Sequence, residues 1–210
     1  KSAPHGTVME TAHVVPKELR LEFTKFDGNP QALRLLTRLQ THMDGVGLDL
    51  SAATLAAGLK YPVCFAAANR DHPIRKKGGY FSSEQDVVNW VRERTGLNEG
   101  QRHPLTWIME ACDDIAYSVL DVDDVLKKLV MSPDDVLVIL QRDLPDDHTV
   151  VKLRSRFSEV EKRALRADTQ REIKIQYLRA ILIEALVTHA CDQFTRNLGP
   201  IFDFSHQKPL

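Results

Sequence analysis

Arg102-His103-Pro104-Leu105-Thr106-Trp107-Ile108-Met109-Glu110-Ala111-Cys112-Asp113-Asp114-Ile115-Ala116-Tyr117-Ser118-Val119-Leu120-Asp121 carries two sets of residues at helical spacing. Leu105, Ile108, Met109, Cys112, Ile115, Ala116, Val119 and Leu120 recur at steps of three and four, the period of a buried helix face. Glu110, Asp113, Asp114, Tyr117 and Asp121 recur at the same steps and form a second stripe. The stretch therefore predicts one long helix. The acids have no Lys or Arg partner until Lys127. Carboxylates this close repel one another unless a cation or a ligand's polar groups answer them. Two readings of the stripe stand. One is a solvated acidic face; the other is a helix lining a site, with an Asp on a metal and polar groups aimed at a small ligand.

Helix signals recur on both sides of this stretch. Lys1 to Val15 is polar and without period, which predicts a loop or a disordered lead-in. Pro16 to Phe26 holds a weak short-helix pattern on Leu19, Leu21 and Phe23. Asn29 reads as an N-cap and Pro30 as the first residue of a helix carrying Leu33, Leu35, Leu36 and Leu39, stopped by Gly45 and Gly47. Ser51 caps a helix over 52–61 with Leu55, Ala56 and Leu59 inward, and Lys60 near its end suits the dipole. From Val63 to Ser82 the chain is irregular, broken by Pro73, Gly78 and Gly79. Its Arg75-Lys76-Lys77 cluster is solvated surface, or a basic loop able to clamp phosphates. Ser83 caps a helix over 84–95, with Val87, Val88, Trp90 and Val91 inward and Gly96 beyond its end.

Downstream, Val122 to Met131 continues the central helix or bends from it. Ser132-Pro133-Asp134-Asp135 is a helix start: a cap, Pro at the first position, acids in the first turn. That start favours helix over strand for Val136 to Leu140. Leu144-Pro145-Asp146-Asp147 is a turn. A last long helix is predicted over 168–197, its apolar face made by Ile173, Tyr177, Leu178, Ile181, Leu182, Ala185, Leu186, His189 and Phe194, with His189 as a core histidine and Gly199-Pro200 as the stop. There is no hairpin signal, internal repeat or low-complexity tract. The fold class is all-α.

With 210 residues, 28 basic and 29 acidic, the chain can bury one substantial core or two small ones. Its net charge of −1 gives no overall attraction to nucleic acid or membrane. No apolar run is long enough to span a bilayer, and Lys1 to Thr11 contains no signal-peptide core. Cys64, Cys112 and Cys191 are few and widely spaced in apolar contexts, and read as reduced core residues of a cytosolic protein. Two classes of function fit. One is an enzyme, or part of one, that handles a phosphorylated metabolite with a metal. The other is a helical interaction module whose acidic stripe binds a basic partner. The acid/Tyr stripe, the Lys60-Tyr61 pair and the Lys76-Lys77-Gly78-Gly79-Tyr80 loop favour the enzyme.

These residues carry a resemblance. Phe26-Asp27-Gly28-Asn29-Pro30-Gln31 resembles the F-[DE]-G-N-x-Q motif of the deoxyguanosine triphosphate triphosphohydrolase family, a branch of the HD-domain phosphohydrolases. Leu59-Lys60-Tyr61-Pro62 resembles its L-K-Y element. Lys76-Lys77-Gly78-Gly79-Tyr80-Phe81 is similar to its K-K-x-G-Y-[YF] loop. Arg102 through Tyr117 closely matches its R-x-P-L-T-W-I-M-E-A-x-D-D-I-x-Y signature, and Asp121 to Asp124 resembles the D-x-[DE]-D that follows. The motifs come in the family's order from Phe26 to about Val130; Tyr177-Leu178-Arg179 and Asn197-Leu198 match more loosely.

The resemblance implies a helical HD-type fold that cuts a deoxynucleoside triphosphate, such as dGTP, to the deoxynucleoside and triphosphate. It implies Mn²⁺ or Mg²⁺ held by a His, a His-Asp dyad and a later Asp, which maps to Asp113. It implies Asn29, Lys60 and Lys77 facing phosphate, and Tyr61, Tyr117 and Asp121 around sugar and base. A dNTP substrate, a homo-oligomer, a single-stranded nucleic acid effector and a cytoplasmic location come with it. One departure is large. None of the eight His residues is followed by Asp, so the dyad is absent, as are the first metal His and the G-H-x-x-E catalytic element. No catalytic residue is assigned in this chain. In the family those elements precede the F-[DE]-G-N motif, where this chain offers only Lys1 to Lys25. The expectation is an irregular leading segment over 1–25, then the C-terminal part of an HD-type domain over 26–210. A fragment is favoured, since the chain begins with Lys rather than Met; the alternative is a catalytically inactive nucleotide-binding or interaction module.

Overall fold

The structure, a computed structural model, describes residues 16–42 and 45–210. The lead-in expected over 1–15 lies outside the described residues. Within the expected leading segment, Lys17–Thr24 forms α1. Then come α2, Gly28–Arg34, which runs on as a π-helical turn over Leu35–Leu39; α3, Ala52–Gly58; and α4, Gln85–Thr95. After them follow α5, Pro104–Lys127; α6, Pro133–Asp143; α7, His148–Glu161; α8, Ala167–Arg196; and α9, Leu198–Phe202. The class is all-α, as expected. The chain divides into two compact units, Lys1–Gln101 and Arg102–Leu210.

The first unit packs α2, α3 and α4 around Leu33, Leu55, Ala56, Leu59, Tyr80, Val88 and Val91. The Ser51 hydroxyl caps α3 by accepting from the Thr54 N–H at 3.2 Å, as its residue type predicts. α3 ends at Gly58, short of the expected Tyr61. Gly96 closes α4 in the left-handed conformation at φ 71°. Ser83 does not cap that helix. It lies in a 3₁₀ turn over Ser82–Glu84, where its hydroxyl meets Arg34 and Glu84. Trp90, expected inward, is 41% exposed. The hairpin absent from the sequence signals is a minimal one, pairing Thr41 with Val46 and His42 with Gly45. It rests on Gly47, whose φ is 85° and where a Cβ would come within 2.6 Å of the Thr37 carbonyl oxygen.

The second unit is a helical bundle in which α8 packs on α5 and α7. Leu126, Leu137, Val150, Leu153, Phe157, Ile175, Leu178 and Ile181 form its core. α6 opens with the capping box expected at Ser132, completed by Asp135. α7 follows the Leu144-Pro145-Asp146-Asp147 turn and was not expected; Asp147 caps it through the Thr149 N–H at 2.7 Å. Its buried residues Val150, Leu153, Phe157 and Val160 keep steps of three and four. Lys174 is buried on α8 and joins three helices, with its ammonium 2.7 Å from both Asp134 and Glu161. Burial presses its pKa down, but the two carboxylates outweigh that and the net shift is upward.

Three expectations for this unit are corrected. Leu105, Cys112, Ala116 and Leu120 of α5 are exposed, because α5 is apolar over more of its girth than α8 covers. Cys191 and His189 are exposed too, so His189 is not a core histidine. Gly199 and Pro200 lie inside α9, since Asn197 breaks the helix before them. All three cysteines are free, as expected. Among the described residues no helix is long and apolar enough to cross a membrane.

Leu153 is fully buried and Val151, two residues earlier, is largely exposed. Leu153→Ala should cost about 2–5 kcal/mol, and Val151→Ala less than about 0.5 kcal/mol. Urea unfolding of the two variants checks this; equal losses would refute the packing of α7.

Candidate functional site

The site residues read from the sequence divide between the two units. Asp113, Tyr117 and Asp121 belong to the second and stand on α5 at steps of four, so they share one face. All three are exposed, Tyr117 at 64%. None makes a hydrogen bond or ion pair among the described residues. Glu110 behaves differently. Its carboxylate accepts from the Arg102 guanidinium at 2.6 Å, and Arg102 is only 4% exposed. That guanidinium lies 4.5 Å from the Trp107 ring centroid, and His206 meets the same ring edge-on at 4.7 Å. The acidic stripe therefore has a basic partner upstream, contrary to the expectation that it had none before Lys127. Arg102, Trp107 and Glu110 hold the start of α5, while Asp113, Tyr117 and Asp121 face outward.

A divalent cation needs several oxygen or nitrogen donors converging on one point. Among the described residues no three His, Cys, Asp or Glu side chains come together in that way. No such group forms around Asp113 among the described residues, so these residues do not assemble the Mn²⁺ or Mg²⁺ site that the resemblance implies.

In the first unit the structure brings three motifs together. The L-K-Y strand of chain and the glycine loop run side by side: the Gly79 N–H donates to the Val63 carbonyl at 2.9 Å, and Cys64 pairs with Tyr80 in a parallel bridge. A Cβ on Gly79 would fall on the Tyr61 carbonyl, and one on Gly78 would come within 2.6 Å of the Phe65 ring. These glycines serve close packing, where their sequence signal was that of a chain breaker. Phe81, at the loop's end, stacks with Phe26 at 6.0 Å and Phe65 at 5.7 Å.

Asp27 is the junction. It, and not Asn29, caps α2: one carboxylate oxygen accepts from the Asn29 N–H at 3.0 Å and from the Asn29 side-chain amide. The other accepts from Lys77 Nζ at 2.6 Å. Asn29 and Lys77, from segments far apart in the sequence, thus share one carboxylate. Lys60 is half-buried, two residues past the end of α3, beyond the helix end expected for it. Tyr61 is 3% exposed, with the Lys76 ammonium 5.8 Å from its ring centroid. A cleft of about 590 Å³ opens beside Lys77, walled by Lys25, Arg70 and Lys76 and floored by Phe26 and Phe65. Asp27, Lys25 and Arg70 were not singled out from the sequence. Asp27 could have been, since it is as good a capping residue as Asn29.

Burial pushes the Asp27 carboxyl up, but hydrogen bonds from Lys77 and Asn29 and the Lys77 charge outweigh it, and the pKa falls from 3.8 to about 2. The Lys77 pKa rises in return, chiefly through its hydrogen bond to Asp27. A carboxyl whose pKa is lowered on folding adds stability above its unfolded value, lost as pH falls through the folded one. Asp27→Asn should therefore be less stable than the parent at neutral pH, and the gap should close between about pH 4 and pH 2. Stability against pH for the two proteins is the check; a gap that persists at pH 2 would refute it.

No family model matches the chain. Curated relatives do. A deoxyguanosinetriphosphate triphosphohydrolase-like protein of Listeria monocytogenes is 31% identical over 192 residues, which is 90% of this chain and 40% of that protein. One of the same name from Listeria innocua matches to the same extent. The deoxyguanosinetriphosphate triphosphohydrolase of Yersinia pestis is 28% identical over 207 residues, 94% of this chain and 39% of the relative. The chain thus spans about 40% of the length of the relatives it matches. Over that span, with the four motifs in order, it is similar to the deoxyguanosinetriphosphate triphosphohydrolases.

Proposed function

We propose that this chain is the nucleotide-facing part of a dNTP triphosphohydrolase that acts on dGTP or a close analogue, releasing the deoxynucleoside and triphosphate. The observation that carries this is the sharing of the Asp27 carboxylate by Asn29 and Lys77, which draws two of the family's phosphate-facing positions together. Lys77 and Lys60 act on the triphosphate as point charges, and they stabilise negative charge as it develops on the phosphoryl oxygens. On α5, Tyr117 and Asp121 stand one turn apart, open to solvent and able to reach a single sugar. The Tyr ring forms a wall against a 2′-hydroxyl, and the Asp accepts from the 3′-hydroxyl. Asp113 contributes one ligand to a Mn²⁺ or Mg²⁺ centre whose other donors are not gathered among the described residues. A cytoplasmic homo-oligomer is part of the same proposal. The incomplete donor set also favours a second reading, an inactive nucleotide-binding or interaction module.

The two readings separate on activity. The 210-residue chain alone should release no triphosphate from dGTP with Mn²⁺ or Mg²⁺, because one carboxylate holds such ions weakly. The complete protein as its gene encodes it should do so, and lose the activity in Asp113→Ala. An inactive complete protein would leave the module reading. In that protein Lys60→Ala should lower kcat/KM about ten-fold or more, since a charge-assisted bond is worth about 1.5–3 kcal/mol; an unchanged value would remove Lys60 from the site.

Selection of the deoxy sugar is tested separately. A clash plus an unpaired polar group discriminates more strongly than affinity alone. Tyr117→Ala should therefore lower the ratio of kcat/KM for dGTP over GTP, with the circular dichroism spectrum unchanged. A ratio that holds would return Tyr117 to the role of a surface residue.

A further inference from the structure

Asp123 is a carboxylate buried in apolar surroundings. It stands on α5 with only 5% of its surface exposed, at a small cavity that it shares with Val119, Val122 and Leu126 of its own helix and Leu178 and Leu182 of α8. Lys127, one turn on, meets one carboxylate oxygen at 2.6 Å. The other oxygen accepts no hydrogen bond among the described residues, and the Arg179 guanidinium of α8 stands 3.9 Å away. A carboxylate held in this way loses much of its hydration for little return, and an apolar side chain in such a place is often as stable or more so. The cavity measures about 10 Å³, room for one water at most and too small for a ligand. Neither stability nor ligand binding accounts for this charge.

The packing of α5 supplies a role. Leu105, Cys112, Ala116 and Leu120 are exposed on this helix while Val119 and Leu126 are buried, so apolar residues stand on two of its sides. Apolar burial is non-directional and holds such a helix only loosely at one rotation. Arg171 of α8 donates to the Leu126 carbonyl, but free carbonyls are offered all round the last turn of any helix. The contact between Asp123 and Arg179 belongs to one side chain on one face. We propose that Asp123 is a positioning residue: with Arg179 it fixes the rotation of α5 on α8, and so holds Tyr117 and Asp121 at the setting that the sugar requires. Asp121 precedes Asp123 by two residues, about 200° around the helix axis, so anchoring one inward directs the other to solvent. The link to the sugar rests on the proposed function; the rotation of α5 does not. Ionic groups that cost stability can serve specificity in this way.

The test compares Asp123→Leu and Asp123→Asn with the parent. In the 210-residue chain, urea unfolding should place the midpoint of Asp123→Leu at or above the parent's. Its backbone amide NMR signals over 115–121 should nevertheless shift or split, as α5 takes up a second setting. Asp123→Asn keeps the shape and an acceptor for Arg179, so its signals there should stay with the parent's. In the complete protein, Asp123→Leu should lower the ratio of kcat/KM for dGTP over GTP by about ten-fold, through KM for dGTP more than through kcat, while Asp123→Asn keeps the ratio. An ion pair that only adds stability predicts the reverse: a less stable Asp123→Leu, with the signals over 115–121 and the ratio unchanged. That result would overturn the proposal, as would unchanged signals at any stability or an Asp123→Leu that does not fold. If the complete protein is inactive, or Tyr117→Ala leaves the ratio as it was, the sugar reading falls, and the amide signals alone decide whether Asp123 sets the rotation of α5.

Discussion

The Asp27 carboxylate is the point on which the first unit turns. Its two oxygens meet three donors, the backbone and side chain of Asn29 and the ammonium of Lys77. One oxygen ends the chain's irregular path and starts α2. The other draws in a loop from fifty residues further on. Charge of this kind, partly taken out of water, is tolerated because both carboxylate oxygens have donors. Asn29 and Lys77 consequently cannot move independently. A ligand contacting both would meet groups already placed, which lowers the ordering cost of binding.

The loop that carries Lys77 is held from its other side by packing. Gly79 lets the backbone come down onto the Tyr61 carbonyl, and Gly78 gives its space to the Phe65 ring. Beyond them, Phe81 lies against Phe26 and Phe65 and under the Arg34 guanidinium, 4.2 Å from the ring centroid. Arg34 in turn bonds the buried Glu84 at 3.1 Å. Lys76 and Lys77 are therefore exposed side chains on a fixed backbone. That combination suits phosphate, which asks for charge at set positions more than for shape.

α5 divides its own signature by role. Arg102, Trp107 and Glu110 form a buried cation–ring–carboxylate clamp with His206 at its edge. Asp113, Tyr117 and Asp121 leave the same helix toward solvent. One stripe of the sequence thus contains a structural member and open members. Only the presence of Arg102, eight residues before Glu110, separates them. All of them sit on one helix at steps of three and four, so local spacing does not tell them apart.

The long helices could be read from the sequence, because a buried face leaves its period in the residues that make it. So could the Ser132 capping box and the Gly96 stop, since each is satisfied within four residues. The sequence also held the motifs and their order. It did not determine which of two capping residues would start α2: Asp27 and Asn29 are chemically alike there, and Lys77, far along the chain, selects Asp27. It did not reveal that Leu105, Cys112 and Leu120 would be exposed, because α5 offers more apolar surface than α8 covers. α7 went unread although its apolar residues keep the helical period; its start sits against a Pro turn. Nor did the sequence bring Lys25, Arg70 and Lys76 to one cleft, since they come from separate segments and local spacing says nothing about such meetings. Interactions closed within a turn or two of helix are written locally. Those that join distant segments, the Asp27 to Lys77 pair, the Gly79 to Tyr61 contact and the cationic cleft, were decided only by the tertiary fold.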